Sequence, residues 1–137
     1  MSESPQHLRL VEKIRDTIRE RDGVSPILVS AEDHKENTIT FSTPEGFRPD
    51  VYYSDNSLLI LGEAKTSNDL SNWHSDAQFD SYLKYLQAAT KDSLKAVLYV
   101  GIPWADFKWA KNHFRKISPG SVEVIIVNDF GYKERVQ

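Results

Sequence analysis

The 137-residue chain contains no cysteine, so disulfides, thiolate chemistry and cysteine-built zinc sites are all excluded. It also lacks a long apolar run. Stretches such as Leu58 to Leu61 fall far short of the about 20 residues that cross a bilayer, and no membrane association is expected. The first residues, MSESPQ, are polar and acidic and hold no basic stretch leading into an apolar one. No signal peptide is therefore expected, and the expected compartment is the cytoplasm. An excess of basic charge is missing too: 17 Lys and Arg stand against 20 Asp and Glu, a net charge of −3. A protein that holds nucleic acid by bulk electrostatics is usually basic. Any such role here must find its positive charge locally or borrow it from a bound cation. No internal repeat, linker or low-complexity segment interrupts the chain.

What is present suits one domain over residues 1–137, with 39% hydrophobic and 27% charged residues, enough to enclose a core. Residues 7–21 read as a helix, with Leu8, Val11, Ile14 and Ile18 at helical spacing and Asp22-Gly23 as its stop. Short strands are expected at 26–31 (PILVSA), 37–41 (NTITF) and 48–53, the last followed by a tight turn at Asp55-Asn56. The run 58–65 (LLILGEAK) begins as a strand apolar on both faces, as in the middle of a sheet. A second helix over 75–90 buries Phe79, Tyr82, Leu83 and Leu86. A strand at 96–102 (AVLYVGI) leads through Pro103 into a helix reaching about Lys116, with Phe107, Ala110, Phe114 and Ile117 as its core stripe. After Ser118-Pro119-Gly120 the last strand is 122–127 (VEVIIV). This order predicts an α/β fold, a mixed sheet of four to five strands flanked by helices.

Two acids stand where apolar strands rarely place them. Asp50 follows Pro49 at the start of a strand, and Glu63 ends the most apolar one. Side chains alternate along a strand, so Glu63 and Lys65 share a face and Ala64 points away. A hairpin through Asp55-Asn56 would bring Asp50 and Glu63 together. Two carboxylates and a nearby main-chain carbonyl suit a hard cation such as Mg²⁺. Lys65 beside them would orient a water and offset charge on a phosphate. Phosphodiester hydrolysis needs a nucleophilic water, a Lewis acid on the phosphoryl oxygen and stabilisation of the crowded phosphorus.

Pro49-Asp50, twelve intervening residues and then Glu63-Ala64-Lys65 resembles the PD-(D/E)xK nucleases, a class that includes restriction enzymes, junction resolvases and RecB-type exonucleases. Gln78 and Tyr82, four apart on one helix face, match the QxxxY element of the RecB-like branch. The resemblance runs over about residues 8–102 in element order: a helix, three strands, a helix and a strand, with a further helix and strand after it. It implies metal ligation by Asp50, Glu63 and the Ala64 carbonyl, Mg²⁺ or Mn²⁺ as cofactor, and Lys65 as the catalytic lysine. Gln78 and Tyr82 would orient the lysine, the water or the substrate. Many members carry one more acid in the first helix. Glu12 is the candidate here, although it points well away from the apolar stripe, which suits a solvated side chain better. The implied activity is metal-dependent cleavage of DNA, with RNA and the choice of endo- or exonuclease left open. Implied partners are a second copy or a DNA-processing or defence complex. An alternative is an inactive module that keeps the scaffold to bind nucleic acid or a partner.

Candidate substrate contacts lie further along. Trp104, Lys108, Lys111 and Arg115 form a stripe that suits a phosphate backbone with base stacking, or equally a solvated lysine face. His74 could touch a scissile phosphate or simply open its helix.

Overall fold

The computed structural model describes residues 4–29, 41–70 and 73–136. The element order is α1 (Pro5–Asp22), β1 (Ile27–Leu28), β2 (Val51–Ser54), β3 (Leu58–Ala64), α2 (Trp73–Lys91), β4 (Lys95–Ile102), a 3₁₀ turn (Trp104–Asp106), α3 (Phe107–Ile117), β5 (Glu123–Asn128) and β6 (Lys133–Arg135). The six strands form one mixed sheet in sequential order. β3, β4 and β5 run parallel, and β1, β2 and β6 join antiparallel at the two sides. The fold class is the expected α/β, with one or two strands more than foreseen. β6 was missed because its Lys-Glu-Arg carries no apolar signal, whereas β1, expected over 26–31, pairs over only two residues. The expected strand at 37–41 lies outside the described residues except for Phe41, which is not in a strand.

Local chemistry sets these boundaries. Ser4 caps α1 by accepting the His7 N–H, Pro5 opens the helix, and Gly23 closes it at φ 70°. Asp55 shapes the β2–β3 hairpin, its side chain accepting the Ser57 and Leu58 N–H groups at 2.7 and 2.9 Å.

The sheet is covered on both faces. Leu10, Val11, Ile14 and Ile18 of α1 pack against Val51, Ile60, Val97, Tyr99 and Ile125. Leu10 is buried whereas the expected Leu8 is only half-buried, because the helix sits slightly rotated on the sheet. Gly62 and Gly101 permit this close seat: a Cβ on them would come within 3.0 and 2.9 Å of Ile14. On the other face α2 and α3 cover Leu59, Leu61, Leu98, Val100, Val124 and Ile126. Truncating a fully buried side chain such as Ile14 to alanine costs about 2–5 kcal/mol. Ile117, expected in the α3 core stripe, is exposed at the last turn of its helix, next to the break at Ser118-Pro119. Among the described residues, no helix is long and apolar enough to cross a membrane.

The parallel strands β3, β4 and β5 end at the same side of the molecule. Their following segments, 65–70, 103–106 and 129–132, begin there. Open α/β sheets bind ligands outside such carboxyl ends.

Candidate active site

Register brings the two acids together. Val51 pairs with Gly62 in the antiparallel β2–β3 ladder. One step further sets Asp50 across from Glu63, and directly opposed residues point to the same face. That is the face covered by α2. Both carboxylates are buried, Asp50 to 5% exposure and Glu63 to 4%. A solvated ion pair at a strand end does not account for this depth.

Each acid is held. Asp50 Oδ2 accepts the Ala64 N–H at 2.9 Å and lies 3.1 Å from His7 Nε2. Glu63 Oε1 accepts the Tyr82 hydroxyl at 2.8 Å, and Glu63 Oε2 lies 3.6 Å from Lys65 Nζ. Lys65 Nζ also donates to Gln78 Oε1. α2 thus places Gln78 and Tyr82, one turn apart, on Lys65 and Glu63. His74, a further turn back, is exposed and stands edge-on to Phe47. The segment carrying Phe47 is anchored to α2, since Ser81 Oγ bonds Thr43 Oγ1 at 2.6 Å and Glu45 Oε1 at 2.5 Å.

Burial pushes the Glu63 carboxyl well above the usual carboxylate range, and the neighbouring Asp50 charge adds to it. Lys65 and the Tyr82 hydrogen bond pull the other way and do not cancel it. Burial, then the Glu63 charge, pushes the Tyr82 hydroxyl far above its ordinary value, so it stays a donor.

The donor set fits a hard divalent cation. Two buried carboxylates that repel each other are what a cation relieves, and oxygen ligands suit Mg²⁺. Pro49 adds to the fit. Two ladder steps beyond Val51–Gly62 it stands across from Ala64, and proline has no N–H to give the Ala64 carbonyl. Among the described residues, no three His, Asp or Glu side chains form a metal-holding group by themselves. An ion would therefore draw on two carboxylates, that carbonyl and water.

Several expected contributors lie differently. From α1 it is His7 that reaches Asp50, while Glu12 is half-buried further along the helix. His7 lies in the first turn of α1, after the Ser4 cap and Pro5. Its target, 43 residues away, was not visible in the sequence. Lys111, a candidate substrate contact, pairs with Glu134 at 3.0 Å. Trp104, Lys108 and Arg115 are exposed. Trp104 begins just past β4, at the sheet end that holds Glu63 and Lys65. An open groove of about 580 Å³ between α2 and α3 is lined by Leu83, His113, Ile117 and Pro119, and by none of the clustered site residues.

Comparison with protein families, with curated proteins and with solved structures finds no match for this chain.

Proposed function

We propose that the chain is a metal-dependent nuclease of the PD-(D/E)xK class, hydrolysing phosphodiester bonds of DNA. The observation that carries this reading is the convergence of Asp50, Glu63 and Lys65 in one buried corner, with Gln78 on the lysine and Tyr82 on the glutamate. Asp50, Glu63 and the Ala64 carbonyl would hold Mg²⁺ or Mn²⁺. Such an ion, when bound, supplies a Lewis acid for the phosphoryl oxygen and lowers the pKa of water. The chain's own groups do the rest. The Ala64 N–H and His7 fix the Asp50 carboxylate, and Tyr82 fixes that of Glu63. Gln78 holds the Lys65 ammonium in place, where it stabilises negative charge building on a non-bridging phosphate oxygen. His74 and the Trp104, Lys108, Lys111 and Arg115 stripe are the candidate contacts to more distant parts of the substrate. The protein would act in the cytoplasm, as a dimer or beside DNA-processing partners.

The test is incubation of the purified chain with single- and double-stranded DNA in Mg²⁺ or Mn²⁺, beside Asp50→Ala and Lys65→Ala. Cleavage that needs the ion and both side chains supports the reading. Absence of cleavage on every substrate, or cleavage that survives both substitutions, removes it.

A further inference from the structure

Three of the largest exposed apolar side chains gather at one end of the sheet. Trp104 is 61% exposed, Phe130 74% and Tyr132 56%. Trp104 follows β4, and Phe130 and Tyr132 lie in the turn after β5. Large rings left in water at one place need a reason, since scattered single ones are ordinary and clustered ones mark binding surfaces.

The backbone beneath these rings is fixed. The Asn128 side chain is buried, and its Oδ1 accepts the N–H groups of Phe130 and Tyr132 at 2.9 and 3.0 Å. Gly131 takes the positive φ, 85°, that this tight turn requires. Asp129 Oδ1 accepts the Trp104 N–H at 2.9 Å, tying the turn to the segment after β4. The Tyr132 ring lies 5.4 Å from Phe107. The backbone that carries these side chains is an ordered frame, so little backbone entropy opposes binding to them.

Chemistry and position narrow the occupant. Lys108, one helical turn from Trp104, is exposed. Of the nearby acids, Glu134 is paired with Lys111 and accepts from Tyr132, Asp129 accepts the Trp104 N–H, and Asp106 accepts the Ser67 hydroxyl at 2.5 Å. That last contact joins the segment two residues past Lys65 to the one that carries Trp104. β5 is two strands from β3, on the order of 10 Å at the usual strand spacing, and the acid pair opens on the same sheet face as α3. Rings with free faces take bases that are not already stacked in a helix. Duplex binding depends more heavily on many phosphate contacts, which a chain of net charge −3 is poorly placed to supply.

We infer that Trp104, Phe130 and Tyr132 form a stacking platform for single-stranded polynucleotide, which leads the strand toward Asp50 and Glu63. The inference rests on the nuclease reading for its purpose, but its binding can be read without metal. Fluorescence anisotropy in chelator, with labelled oligo(dT), oligo(U) and a DNA hairpin duplex, tests it. Single strands should bind more tightly than the duplex. The double variant Phe130→Ala/Tyr132→Ala should weaken that binding about tenfold or more, as should Trp104→Ala, with circular dichroism confirming that each variant is folded. Oligo(dT) against oligo(U) tells which polynucleotide the platform favours. Equal binding by wild type and variants, tighter duplex binding, or no binding by wild type overturns the platform. Cleavage with Mg²⁺ read in parallel separates the two ideas. Unchanged binding in the variants of a cleaving enzyme sinks the platform alone. Variant-sensitive binding without cleavage supports the platform and sinks the nuclease reading.

Discussion

The Tyr82 hydroxyl donates to Glu63 Oε1 at 2.8 Å, so a fully buried phenol on α2 holds a buried carboxylate on β3. Replacing it with phenylalanine keeps the ring and removes the donor. We expect Tyr82→Phe to lose about 0.5–1.5 kcal/mol of stability, the usual net worth of one internal hydrogen bond. DNA cleavage should fall as well, because the carboxylate is no longer oriented. Urea denaturation and a cleavage time course measure the two effects. Unchanged values of both would remove Tyr82 from the site.

Glu63 itself should be a liability in the metal-free protein. Unfolded, it titrates near 4.5, and folded its pKa is well above that. Between the two values the native state binds a proton that the unfolded state does not, so stability falls as pH rises through the window. Glu63→Gln cannot titrate. It should lack this slope and, above the window, be more stable than wild type by about 0.5–2 kcal/mol, in the usual pattern of active-site residues that cost stability. Melting curves across pH in chelator would show this. Mg²⁺ should then stabilise wild type and leave the variant unmoved. Equal pH slopes in the two proteins would contradict the description of the acid pair.

Lys65 and Gln78 should separate by degree. Removing the ammonium with Lys65→Ala should lower the cleavage rate about 10²–10³-fold, the range for loss of one transition-state stabiliser. Gln78→Ala leaves the charge but not its holder, and its loss should be smaller. Single-turnover rates at saturating Mg²⁺ make the comparison. A larger loss for Gln78→Ala than for Lys65→Ala would reverse the assigned roles.

A network away from the site offers a control. Arg21 bonds Tyr99 at 2.8 Å and Asp22 at 2.9 Å and reaches Glu123, fastening the end of α1 to β4 and β5. Glu123 starts β5, at the opposite end of the parallel strands from Glu63. Arg21→Ala should destabilise the fold by about 1–3 kcal/mol, because it strips partners from buried polar groups. Its apparent Mg²⁺ affinity in cleavage assays should match wild type. A shift in that affinity would mean that the two ends are coupled.

Local patterns made much of this legible. The hairpin between β2 and β3 follows from Asp55 and two apolar runs, and once its register is set Asp50 must face Glu63. Gln78 and Tyr82 needed only helical spacing to share a face. Contacts between distant segments were not legible. Nothing around His7 points to Asp50, and nothing around Arg21 points to Glu123, 102 positions away. β6 pairs through its backbone with a charged sequence, so periodicity could not reveal it. Phe130 and Tyr132 were passed over because they fall in a turn, where no pattern of burial applies.

Crystals soaked in Mn²⁺ and measured for its anomalous scattering test the metal site most directly. A peak within coordination distance of the Asp50 and Glu63 carboxylates and the Ala64 carbonyl, lost in Asp50→Asn, is the expected result. Manganese bound only elsewhere, or the same peak in Asp50→Asn, would contradict it.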